Sequence, residues 1–205
     1  MTTAAGSLQI KGSSRVISDY FEICIHNILF QRHIYPKEEF KVIRKFGLNL
    51  VFSKNEEVIK YISQVISQLH RWIFTGKISW LTLLIVSKES EKISEKWMFN
   101  IDIIDRGNEQ RESSKPIADI QQEIQVIIRQ ISSSVAILPE FEEPQTFKIL
   151  VHTVGDLKPP KDWDDAKPFE EIDSRDGEIE NVKFNEFQTN NHNISTYVTY
   201  QHRNQ

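Results

Sequence analysis

Apolar residues recur at Ile117, Ile120, Ile124, Ile127, Ile131 and Leu138, with Ile128 and Val135 beside them. Steps that alternate between three and four residues put these side chains on one face of a helix. Ser114 and Pro116 supply a start, because a serine oxygen takes an orphan amide and proline fits the first turn. Pro139 supplies the stop, since it cannot continue a helix comfortably. The spacing predicts a core helix over 117–138. Gln122, Gln125, Val126, Arg129, Gln130, Ser133 and Ile137 point away from its apolar stripe. On pattern alone this is the solvated back of a helix, the commoner arrangement, although short apolar groups around an arginine are also the composition of a docking surface.

The same reading extends along the chain. Residues 1–12 read as mobile or as a marginal edge strand. Ser13 or Ser14 then caps a helix to about Phe30, whose members Val16, Ile17, Tyr20, Phe21, Ile23, Cys24, Ile25, Ile28 and Leu29 cover most of the circumference. Only Arg15, Asp19, Glu22 and His26 leave a polar stripe, so the helix is predicted to be sandwiched, with His26 at the surface. Residues 33–40 read as a turn around Pro36. Phe46, Leu48, Leu50 and Phe52 alternate with polar or small residues, which predicts a half-buried strand. Asn55 caps a further helix with Glu56 and Glu57 in its first turn, and Gly76 stops it. Residues 78–87 are nearly all apolar, as in a strand covered on both faces. A charged connection at 88–92 makes a hairpin with the strand marked by Trp97, Phe99, Ile101 and Ile103. After a charged loop at 106–115 and the helix at 117–138, Phe147, Ile149, Val151 and Thr153 alternate as a fourth strand.

Residues 155–182 break the pattern, with three prolines, ten acidic residues, four basic residues and no period. A loop of that length is uncommon inside a compact domain, yet this one carries Trp163 and Phe169. Strand character returns at Phe184 and Phe187, breaks at 190–193, and resumes from Ile194 through Tyr197 to Tyr200. The expected architecture is α+β: three helices packed on a mainly antiparallel sheet, one domain over 13–200. Its core spans 13–154, and a strap and tail occupy 155–205.

Composition narrows the function classes. The chain has 205 residues, 39% of them hydrophobic, and a net charge of -4, so no global basic field favours nucleic acid or an anionic membrane. Cys24 stands alone in an apolar run and reads as a buried, inert thiol, which excludes an internal disulfide framework or a cysteine-rich zinc site. No apolar run approaches the ~20 residues that span a bilayer, and the N-terminus lacks the layout of a secretory signal. A soluble intracellular protein is expected. No glycine-rich phosphate loop, nucleophile elbow or metal-ligand spacing occurs. Asp162, Asp164 and Asp165 lack the glycine and distal glutamate of a calcium loop and read as a solvated acidic loop. His152, His192 and His202 do not share a ligand spacing, and Trp97 and Phe99 read as core. The sequence favours a binding protein over an enzyme, with no catalytic residue, cofactor or metal. A hydrolase with a metal in its acidic strap is the rival from another class.

Four runs carry a family likeness: 27–36 (NILFQRHIYP), 46–52 (FGLNLVF), 95–102 (EKWMFNID) and 128–139 (IRQISSSVAILP). Residues 161–163 and 187–200 extend it into the tail. The chain resembles the spindle-checkpoint branch of the HORMA-domain family from about Ser13 to Tyr200. The resemblance implies a two-state protein, open and closed, whose mobile C-terminal tail closes as a safety belt over a partner peptide added to a sheet edge. It places that edge at Phe147, Ile149, Val151 and Thr153, and the belt at Trp163, Phe187, His192, Tyr197 and Tyr200. On the helix face of the first paragraph it implies dimerisation and adaptor docking at Val126, Arg129, Gln130, Ser133 and Ile137. The partners implied are a coiled-coil kinetochore scaffold, the activator of the anaphase-promoting complex, other members of the mitotic checkpoint complex, and a second copy of the chain. No nucleic acid or membrane is implied, and the expected locations are nucleus, kinetochore, spindle and nuclear periphery, and also cytoplasm. The alternative within the fold is the accessory subunit of a translesion polymerase. Two positions depart from the pattern: Ile137 stands where relatives commonly carry phenylalanine, and Trp80 where they are often polar.

Overall fold

The computed structural model describes residues 4–104, 115–155, 157, 159–161, 163, 172 and 177–202, with only the backbone of 4–11. The Ser114 start signal, most of the charged loop at 106–115, Phe169 and the three aspartates Asp162, Asp164 and Asp165 lie outside the described residues. Helix α1 spans Ala4–Gln31, α2 Glu56–Phe74 and α3 Ile117–Ser134. The strands are β1 Phe40–Lys45, β2 Leu48–Ser53, β3 Ile78–Ser87, β4 Ile93–Ile103, β5 Gln145–Thr153, β6 Glu178–Lys183, β7 Phe187–Gln188 and β8 His192–His202. Strands β1 and β2 form a hairpin of their own. The main sheet runs β5-β3-β4-β8-β6, with β7 also on β8, and every pairing in it is antiparallel.

Helix α1 is the centre of the packing. Tyr20 and Phe21 meet Phe99 of β4 at 6.1 and 5.5 Å between ring centroids, so one side of the helix lies on the sheet. The opposite side is covered by the β1–β2 hairpin. That cover corrects the expectation for His26, which is only 2% exposed: its ring packs on Phe52 at 4.6 Å, and its Nδ1 accepts the Ser53 N–H. The polar stripe is narrow because the hairpin shields it, and burial drives the His26 pKa down to about 4.

The start of α1 is a second correction. The helix begins at Ala4, and neither Ser13 nor Ser14 caps it. Both serines are buried inside the helix, where Ser13 Oγ donates to Thr189 Oγ1 of the tail. A serine that finds a tertiary partner has no need to end a helix. Asn55 behaves as expected: its Oδ1 accepts from the amides of Glu57 and Val58. Gly76, at φ +65°, closes α2 with Gly76 N–H on the Ile73 carbonyl and Lys77 N–H on that of Trp72.

The strand expected from Phe46 begins at Leu48. Phe46 and Gly47 both have positive φ, 51° and 69°, and form the two-residue turn that suits the twist of a hairpin. Strand β1 carries no sequence signature, because Val42 and Ile43 are adjacent and Val42 is 67% exposed, leaving no alternation. Strand β6 lies within the expected strap and lacks a sequence signature for a related reason: EIENVK is an edge strand with no buried residue. Helix α3 also stops earlier than expected. It ends at Ser134, and residues 135–137 continue as turns, so Ile137 is not on the helix face. The pairing β3 with β4 and the near-complete burial of β3 agree with the pattern.

Candidate partner-binding site

Strand β5 is the terminal strand of the sheet, paired on one side with β3. Its outward parity follows from two hydrogen bonds. Val154 N–H donates towards β3, to the Lys77 carbonyl, whereas Ile149 N–H donates away from it, to the hydroxyl of Tyr61 on α2 at 3.2 Å. Backbone groups of one strand alternate in direction, so Phe147, Ile149, Val151 and Thr153 present theirs to the open edge. Their side chains point to the helices: Ile149 is buried, and Phe147 packs against Tyr35 and Tyr61 at 6.3 and 5.7 Å. The four residues named from the sequence therefore share one backbone direction and one side-chain direction. The contribution of Tyr61 was not visible in the sequence, where it sits off the apolar stripe of α2. Burial pushes its phenol pKa up, opposed by the Ile149 amide.

The tail is built into the core. Phe187 is 1% exposed and meets Tyr20 edge-on at 4.8 Å, and Phe184 lies parallel to Trp97 at 6.0 Å. His192 is buried with its Nδ1 3.0 Å from Ser13 Oγ, and burial lowers its pKa to about 4. Thr196 Oγ1 and the Tyr20 hydroxyl share a hydrogen bond of 2.7 Å. Tyr200 is buried with its hydroxyl donating to Glu180 of β6, and burial and that carboxylate raise its pKa to about 12. Tyr197 lies opposite Met98 and is half-buried. At the other end of the strap, Trp163 packs edge-on against Trp72 of α2 at 5.1 Å.

On α3, Val126, Arg129 and Ser133 are exposed, and Gln130 is half-exposed. Gln130 faces the tail: its Nε2 donates to Asn185 Oδ1 at 3.0 Å, and its Oε1 accepts the Asn185 N–H at 2.8 Å. About two turns earlier, Glu123 accepts the Gln188 N–H and pairs with Lys115 at 2.6 Å. On the hairpin side Gln125 donates to the Phe46 carbonyl at 2.7 Å. The polar side of α3 is thus stitched to the tail and to the hairpin turn. Ile137, 59% exposed in the turn past the helix, borders a cleft with Pro139, Phe141 and Tyr200 instead.

Glu95, in the wall of that cleft, belongs to a buried ion pair. Glu95 is fully buried, 2.7 Å from Arg32 Nη2, and accepts Trp97 Nε1–H at 2.9 Å. Arg32 also donates to the Pro139 carbonyl and lies 4.2 Å from the Phe141 ring centre. The pair pins the end of α1 to β4 and to the connection after α3. A signal existed: strand alternation places Glu95 on the same face as Trp97 and Phe99. Burial raises the Glu95 pKa, and Arg32 opposes the rise. Among the described residues no group of His, Cys, Asp or Glu is placed to hold a metal, and no helix is long and apolar enough to cross a membrane.

The HORMA domain family model matches residues 13–192. The mitotic spindle checkpoint component mad2 of Schizosaccharomyces pombe is 41% identical, over 95% of this chain and 94% of its own length. The mitotic spindle checkpoint component MAD2 of Saccharomyces cerevisiae is 37% identical, over 96% of this chain and 98% of its own. The DNA polymerase zeta processivity subunit of S. pombe is more distant, 24% identical over 76% of each chain. A chain in the crystal structure of the mitotic checkpoint complex superposes with a TM-score of 0.82, at 41% identity, over 93% of this chain and 99% of that one. The chain belongs to the HORMA-domain family, in the branch of its mitotic spindle checkpoint relatives.

Proposed function

We propose that the chain is a spindle assembly checkpoint protein that works as a two-state switch. In this reading it captures a peptide of the activator of the anaphase-promoting complex on β5, closes its belt over it, and so delays anaphase. The single observation that carries the reading is the seat of the tail. With β8 paired to β4 and β6 beyond it, on the side of the sheet away from β5, β5 is a terminal strand with four residues presenting backbone groups outward. Strand addition draws affinity from such main-chain groups and selectivity from alternate side-chain pockets. The tail contacts of Gln130, Glu123, Ser13 and Tyr20 would be the interactions that hold the closed form. Two packings of one tail that differ by a few kcal/mol can then be biased by a peptide with differential affinity.

The coiled-coil kinetochore scaffold would use the same edge. A second copy and other checkpoint complex members would use α3 around Val126, Arg129, Gln130 and Ser133. The belt boundaries, 155–205 around a 13–154 core, and residence at nucleus, kinetochore, spindle, nuclear periphery and cytoplasm belong to the same reading. It assigns binding, with no catalytic step. The test is ion-exchange chromatography of the chain alone and with a synthetic activator-derived peptide. Two slowly exchanging species driven to one by peptide support the switch. A single species indifferent to that peptide, yet binding one from a translesion polymerase, would favour the accessory-subunit reading.

A further inference from the structure

We propose that Trp80 and His152 form a subsite that selects a planar side chain, an aromatic ring or an arginine guanidinium, on the strand captured by β5. The inference rests on the peptide-capture reading above and gives it a chemical preference at one position.

Trp80 of β3 and His152 of β5 are cross-strand partners. Their rings are parallel within 1° with centroids 3.7 Å apart. The rings overlap face to face, and because the two residues sit opposite each other on neighbouring strands, the stacking direction runs across the strands, from β3 towards the open edge. Strands lie about 4.8 Å apart. A strand added beyond β5 therefore places one side chain on the continuation of this axis, next to the outer face of the His152 ring.

Four features favour a contact there. His152 is exposed, so a side chain of a new strand can reach it. Its backbone groups are directed to β3, by the same alternation that turns those of Ile149 outward. It is consequently a non-hydrogen-bonded position towards an antiparallel newcomer, where paired side chains approach most closely. Trp80 already holds the His152 ring in one orientation, so little further ordering is needed on binding. The neighbour on the same sheet face, Leu150, is half-buried and adds an apolar border to the subsite. A flat group stacks on such a ring, whereas a branched aliphatic group of similar size cannot match its face.

The test uses the full chain and the activator-derived peptide, changed at each position in turn to Phe, Arg, Leu or Ala, with affinities from calorimetry. One position is expected to favour Phe or Arg over Leu by about fivefold, the scale of a stacked pair. That preference should vanish in His152→Ala and persist in His152→Tyr. Preference for Phe alone or Arg alone identifies which planar group the subsite takes. If peptides bind but no position favours a planar residue, or the preference survives His152→Ala, the subsite is wrong and peptide capture stands. If the unaltered chain binds none of the peptides, capture itself fails and the subsite with it.

Discussion

The backbone N–H of Ile149 donates to the hydroxyl of Tyr61 across 3.2 Å, so a side chain of α2 holds one outward donor of the edge strand. An open edge is a template for any extended chain, and proteins cover such edges. An incoming peptide carbonyl needs the same donor. Tyr61→Phe should therefore bind the activator-derived peptide several-fold more tightly while costing about 1 kcal/mol of stability or less. Calorimetry gives the affinity, and faster amide exchange at Ile149 reports the freed donor. Unchanged exchange there would sink the role given to Tyr61.

The ion pair of Arg32 and Glu95 should behave as a buried one. Glu95→Ala leaves the buried Arg32 charge without its counter-ion and Trp97 Nε1 without its acceptor, at an expected cost of about 3–5 kcal/mol. The double replacement Arg32→Met with Glu95→Leu should recover much of that loss, because no charge is then left stranded. Urea denaturation of the single and double variants decides it. Equal losses in both would show that packing, not charge, is at stake.

Arg129 and Gln130 are adjacent but differently engaged, and their variants should separate. Arg129 is exposed, so Arg129→Glu is expected to abolish self-association and leave peptide capture intact. Gln130→Ala removes both hydrogen bonds to Asn185 and should speed amide exchange across 184–190. Sizing chromatography beside hydrogen exchange distinguishes the two. A dimer that survives Arg129→Glu contradicts the assignment of this face.

Acid should loosen the tail and the hairpin together. His26 and His192 have pKa values of about 4 in the folded chain against an ordinary 6.5, so the unfolded chain binds more protons between these values. Stability should accordingly be full above pH 6.5 and fall as the pH drops towards 4, by up to about 3 kcal/mol for each histidine. Glu95, whose pKa is raised, works in the opposite direction and offsets part of the loss. The check is the melting temperature from pH 7 to 4.5. In His192→Gln the slope should be shallower, and an identical slope would count against His192.

Much of the architecture was legible because each element had a local signature. The stripe of α2 with its Asn55 cap and Gly76 stop, the continuous apolar run of β3, and the alternation of β4 and β5 needed no tertiary information. Tertiary partners decided the rest. Ser13 reads as a cap by composition, and only its hydrogen bond to Thr189, 176 residues away, explains why it lies inside a helix. His26 reads as surface until the hairpin covers it. Strand β6 has no buried face, so it exists through its ladder to β8 and carries no pattern of its own.

The candidate site divides in the same way. Alternation along 147–153 told which residues share a side-chain direction, since side chains of a strand repeat every two residues whatever surrounds them. Which side of β5 is open depends on where β3 and β8 pair, and pairing between distant segments leaves no local trace. Likewise Trp80 and His152 are 72 positions apart in the sequence, and only the register of β3 on β5 brings their rings together. The sequence by itself determined the family and the elements that carry their own period or cap, α2, β3, β4 and β5 among them, because helix period, strand period and caps are local. The sheet edge, the buried pair of Arg32 and Glu95, and the seat of the tail were decided by the tertiary structure, because each is a relation between segments that the chain must first bring together.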